Sequence, residues 1–224
     1  MSAGSKQKDL FVVMGDTFTY AIRWETSPKV YKAISALTNA APCAVTATAH
    51  GIPNGWPVGI ESIKNMPELC EGKKWTAQVI DANDLILQNL NTADMRTYVS
   101  GGYLVYNTPV FLTGYTASMA IKSPDGSSTY LTLSTTDGSI IIDPVGCTIT
   151  LNIAAAVSNA WTWVSAIYTL EMTDASGNVK TILHGNLNVL TDPSVYRDVM
   201  MYNLESGVSS IGDFAQFESY DQSD

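Results

Sequence analysis

The sequence predicts an all-β protein, an antiparallel sandwich or barrel. Three observations carry this: apolar and polar residues alternate along most of the chain, the alternating segments are short, and turn-forming residues separate them. In TFTYAIRW (17–24), Phe18, Tyr20, Ile22 and Trp24 alternate with Thr17, Thr19, Ala21 and Arg23. Period two puts the four large side chains on one face of a strand.

The same period predicts strands at TASMAI (116–121), TYLTLS (129–134), TITLNI (148–153), SAIYTLEM (165–172), VKTIL (179–183) and LNV (187–189). Between them, SPDGSS (123–128) and TTDGS (135–139) each hold Asp-Gly, which supplies the positive φ angles of tight hairpin turns. DASGN (174–178) is a longer turn of the same kind. IAAAVSNAW (153–161) is the one helical candidate, a turn or two between strands. Gly185 interrupts ILHGNLNV, where glycine marks a bulge, and His184 is then a side chain at that bulge.

Between Pro42 and Tyr106 the texture changes. AVTATA, WTAQVI, DLILQN and GGYLVY are strand-like, but the turns HGIPNGWPVG, KNMPELCEGKK and VSGGY crowd them. Residues 42–106 are expected to form a small β module inserted in a loop of a larger domain made of 1–41 and 107–195, because lengthening a loop costs little entropy. From Tyr196 onward the alternation is lost, and Arg197 is the only base among six acids. Residues 196–224 nevertheless keep Tyr202, Phe214, Phe217 and Tyr220, more aromatics than a solvated tail carries. The spacing of Phe214, Phe217 and Tyr220 predicts a short helix with one aromatic stripe, on an arm that contacts a partner.

A net charge of −9 argues against nucleic acid, whose phosphates require clustered Lys and Arg. No apolar run approaches the ~18 residues of a membrane span, and MSAGSKQKD lacks a signal-peptide core, so synthesis in the cytoplasm without membrane insertion is expected. Cys43, Cys70 and Cys147 are far apart, and neither a disulfide framework nor a metal site is expected from that spacing. No nucleophile–base motif, phosphate loop or metalloprotease signature is present, so no catalytic residue and no cofactor is expected. Trp161 and Trp163, at i and i+2, would share one face of a strand, the arrangement of a sugar-stacking platform or of packing at a core or subunit interface.

Several segments resemble the amino-terminal β-sandwich domain of phage upper baseplate and tail-fibre proteins. They are GDTFTYAIRW (15–24), PVFLTGYTASMAIKSPDG (109–126), DGSIIID (137–143), TITLNIAAA (148–156) and IYTLEMTDASGNVKTILHGNLNVLTDPSV (167–195). TATAHGIPNGWPVGI (46–60), MPEL (66–69), WTAQVIDANDLILQ (75–88) and YVSGGYLVY (98–106) are similar to the small β module called the first-catalytic-cysteine half-domain, which has no catalytic cysteine in its phage relatives. Together the resemblances imply an antiparallel Ig-like β-sandwich with an inserted β-barrel-like module and an extended C-terminal arm. They also imply a non-enzymatic virion protein of a tailed bacteriophage, a tail, baseplate or fibre-attachment component, whose partners are other virion proteins and further copies of itself. The alternative is a carbohydrate-binding module using Trp161 and Trp163. His50 falls at a structural corner on either ground, since its neighbours are Thr, Ala, Gly and Pro, which cannot orient a base.

Overall fold

The structure, a computed structural model, describes residues 5–191 and the strand Ala215–Ser219. The chain opens with β1 (Lys6–Gln7) and β2 (Leu10–Val13), then the 16-residue β3 (Phe18–Ala33). Six strands follow: β4 (Ala36–Leu37), β5 (Cys43–Thr46), β6 (Pro57–Ile63), β7 (Lys74–Val79), β8 (Asp84–Leu87) and β9 (Gly101–Pro109). Next come β10 (Thr116–Lys122), β11 (Thr129–Ser134), β12 (Ile140–Asp143) and β13 (Thr148–Ile153). A five-residue helix, α1 (Ala155–Asn159), precedes β14 (Ser165–Thr173), β15 (Val179–Leu190) and β16 (Ala215–Ser219). The all-β class read from the alternation is the class observed, with two packed sheets.

The described chain divides into two compact units. The first comprises residues up to 24, 112–144, 148–191 and β16, and it is the sandwich. One sheet runs β15–β14–β10–β11, with β1 and β2 both lying parallel to β15 on its other side. The second is β12–β13–β3, and β16 pairs with β3. Alternation fills the space between: Met119 and Ile121 of β10, Leu170 and Met172 of β14, and Ile149 and Leu151 of β13 are all buried. The expected hairpin turns are present, with Gly126 at φ +75° and Gly138 at φ +80°.

The second unit comprises 25–111 and 145–147, and residues 42–106 lie within it. It also takes in the latter half of β3, because Lys29–Ala33 pair with Asn107–Tyr103 of β9. The strand path β3–β9–β6–β7–β8–β5–β4 turns back on itself, since only two residues separate the end of β3 from the start of β4. Ile34 N–H bonds Gly102 O at 3.0 Å and Ser35 N–H bonds Thr46 O at 2.9 Å, which carries the chain from one end of the path to the other. Trp56, Met66, Leu69, Leu85, Leu87 and Leu104 centre its core. Among the described residues no helix is long and apolar enough to cross a membrane.

Two expectations need correction. Gly185 is in register with Tyr168, and the irregularity of β15 falls instead opposite Leu170/Glu171, where Ile182 is the extra residue. Glycine is needed at 185 because a Cβ there would lie 2.1 Å from the Lys8 carbonyl oxygen. The chain between β1 and β2 comes this close because Tyr168 Oη donates to Lys8 O at 2.6 Å and Asp9 Oδ1 accepts the Asn186 N–H at 2.9 Å. VKTIL and LNV form one 12-residue strand, as the continued alternation predicts. Finally, Ala215–Ser219 is a strand, so Phe217 stands in extended backbone rather than on a helix, while Tyr202, Phe214 and Tyr220 lie outside the described residues.

In the hairpin turns, hydrogen bonds hold aspartates ionised. The Ser123 hydroxyl lowers Asp125, the Ser139 hydroxyl lowers Asp137, and the Asn178 amide lowers Asp174, with backbone N–H groups adding to each. A depressed folded-state value stabilises the fold above the ordinary aspartate value of 3.8, and the contribution is lost as the pH falls through the depressed value. In an Asp125→Asn/Asp137→Asn/Asp174→Asn variant, urea midpoints should fall below wild type near about pH 7, and the gap should narrow as the pH falls below 3.8. Gly185→Ala should cost about 1–3 kcal/mol in the same assay, the usual cost of overpacking.

Candidate functional site

Three aromatic rings from two separate parts of the sandwich unit form one stack. Tyr130 and Trp163 lie with ring centroids 5.0 Å apart and planes 17° apart, and Trp161 and Trp163 with centroids 4.4 Å and planes 24° apart. Trp163 is the shared ring. Two rings side by side over one indole face would overlap at these distances, so Tyr130 and Trp161 take opposite faces. Tyr130 remains 39% exposed and neighbouring Val164 60%, so the stack sits at the protein surface.

Local structure explains each ring's position. Tyr130 is the extra residue of a bulge in β11: Ile121 pairs with Leu131 and Lys122 with Thr129, which leaves Tyr130 opposite no residue. Bulges re-aim side chains in this way. The tryptophans lie in the 160–164 connection, not in a strand. At one end, the Trp161 N–H bonds Ser158 O at 3.2 Å, continuing the last turn of α1. At the other, Val164 O accepts the Val189 N–H of β15 at 2.9 Å. The helix itself is fixed by fully buried Ser158, whose Oγ accepts the Gly15 N–H at 3.2 Å and lies 3.0 Å from Asp16 O.

This corrects the platform expected from the i, i+2 spacing. Along a strand two such residues stand ~6.6 Å apart, side by side, with parallel faces turned outward. In the compact connection the two indoles fold onto each other. Both faces of Trp163 are then covered by protein, which leaves only the end rings to meet a ligand face-on. Tyr130 was not singled out in the sequence. Its signal was an aromatic at the outward position of TYLTLS, where the alternation puts Thr132 and Ser134.

No protein-family model matches the chain, and no curated protein matches it. The chemistry of its site residues therefore rests on geometry.

The side chains of His50 and Cys43 make structural contacts. His50 is 1% exposed; its Nδ1 accepts the Ile52 N–H at 3.0 Å and its Nε2 lies 3.0 Å from Asp81 O. A backbone donor on Nδ1 leaves the proton on Nε2, which donates to Asp81 O. His50 thus ties the 50–52 corner to the 81–84 turn, and Tyr106 Oη donates to its carbonyl. His184 lies in β15, its backbone paired with Thr169 and Gln7, and its Nδ1 is buried without a hydrogen-bond partner among the described residues. All three cysteines are free thiols, Cys43 and Cys147 are buried, and burial raises Cys43 away from the reactive thiolate. Among the described residues no group of three or more His, Cys, Asp or Glu could hold a metal ion.

A double-mutant cycle tests the stack as a unit. With Tyr130→Ala, Trp163→Ala and the double variant measured by urea unfolding, a coupling of about 0.5–1.5 kcal/mol is expected.

Proposed function

We propose that this protein is a non-enzymatic structural component of a tailed-bacteriophage virion, in the tail, baseplate or fibre attachment, and that it acts by protein–protein assembly. The resemblance of the sandwich segments to upper baseplate and tail-fibre domains motivates the setting. The observation that carries the assembly reading is the Tyr130–Trp163–Trp161 stack at the surface next to β11, an edge strand of its sheet. Tyr and Trp are the side chains that dominate interface energetics, because they bury large area at small entropic cost. An edge strand beside them offers backbone hydrogen bonds to a neighbour. The engagement of His50 in backbone hydrogen bonds fits the same reading.

In this reading the sandwich is a rigid body, the second unit a further contact surface, and the C-terminal segment a link to neighbouring subunits. Proteomics of density-purified particles should find the chain at structural copy number, and Trp163→Ala should lower its incorporation severalfold. Presence only in the soluble lysate would overturn the reading. A second reading, glycan contact through an end ring of the stack, rests on the partial exposure of Trp161. Sugar-specific binding on a glycan array, lost in Trp161→Ala, would favour it.

A further inference from the structure

Besides β13 and β9, the strand that pairs with β3 among the described residues is β16. Asn152 N–H bonds Ser139 O on the β12 side at 2.8 Å, so by alternation Ile149, Leu151 and Ile153 direct their backbone groups to β3. Their partners there are Ile22, Tyr20 and Phe18. Thr19 and Ala21 therefore direct their N–H and C=O groups to the opposite side. β9 does not reach them, because its pairing with β3 stops at Glu25↔Pro109. β16 pairs with β3 and belongs to the same unit as residues 18–24, so it is the strand that takes this edge.

The length of chain leading to β16 is far more than that edge requires. β15 ends beside the start of β3: Leu190 pairs with Val13, and its carbonyl accepts the Met14 N–H at 2.9 Å. From Met14 to Phe18 the chain itself covers the distance in four residues, at most ~14 Å. Yet 24 residues, 191–214, separate β15 from β16, enough to span up to ~80 Å. A strand at the end of a connection of that length can meet a neighbour's edge with the same hydrogen bonds as its own, the condition under which strand exchange costs little.

We propose that Ala215–Ser219 is a donor strand that fills the Thr19/Ala21 edge of β3 in a second copy of the chain. This deepens the assembly reading above and depends on it only for the biological setting. Each chain then holds one donor and one acceptor, so reciprocal exchange closes a dimer and sequential exchange a ring.

The test uses full-length chains. Gln216→Pro/Phe217→Pro disables the donor strand, because one of two successive N–H groups must face β3, and Ala21→Pro disables the acceptor edge while leaving the Tyr20 and Ile22 bonds to β13 in place. By sedimentation, wild type should run as a dimer or larger and each variant alone as a monomer. The differently tagged variants co-refolded together should form a 1:1 heterodimer. A monomeric wild type, or a mixture that stays monomeric, overturns the proposal. If Ala21→Pro fails to fold, isotope-labelled Gln216→Pro/Phe217→Pro co-refolded with unlabelled wild type provides the readout. Amide exchange at Thr19 and Ala21 should slow about tenfold or more, and unchanged exchange overturns the proposal. A heterodimer from a chain that is missing from particles would sink the virion setting alone. A monomeric wild type found in particles would sink strand exchange alone.

Discussion

The structure depends on one strand that serves two units. The first part of β3 pairs with β13 through Phe18–Arg23, and the last part pairs with β9 through Lys29–Ala33. A slip of one residue would turn Ile22 and Trp24 to the wrong face of the sandwich. The strand survives a proline in its middle because the register shifts between Thr26 and Lys29, so that Ser27 and Pro28 oppose no residue. Thr108 Oγ1 donates to Pro28 O at 2.7 Å across that gap, and Asn107 Nδ2 donates to the buried Glu25 carboxylate at 2.8 Å beside it. These polar contacts sit where the ladder is irregular, which is where backbone groups most need other partners.

Much of the sandwich was legible because its signals are local. Alternation in TITLNI and SAIYTLEM and the Asp-Gly turns at 125–126 and 137–138 depend only on neighbouring residues, and they appear where the pattern puts them. The misses have the opposite character. β1 and β2 are too short to show a period, and they exist because β15 offers a parallel edge, a decision made by tertiary structure. β6 was hidden because PVGIESI follows a dense run of turn residues. Gly185 was recognised as special for the wrong reason: the sequence signals a missing side chain but not which backbone needs the room.

The candidate site was half legible. Trp161 and Trp163 stand out in any reading, but their pairing was drawn on a strand, and the short connection after α1 changes it from a flat pair into a stack. Tyr130 is 31 residues from Trp161 and reaches the stack through a bulge. A bulge in β11 is a property of two strands together, so no inspection of TYLTLS alone would find it.

The stack also gives the protein a spectroscopic identity. Two indoles held face to face at 4.4 Å couple their electronic transitions, and the sign and size of the resulting circular-dichroism couplet depend on the angle between them. The 160–164 connection is pinned at one end to α1 and at the other to β15, so the couplet reports whether helix and sheet are both in place. The molecule thus contains its own label-free gauge of sandwich integrity, sensitive to any partner that pries the rings apart.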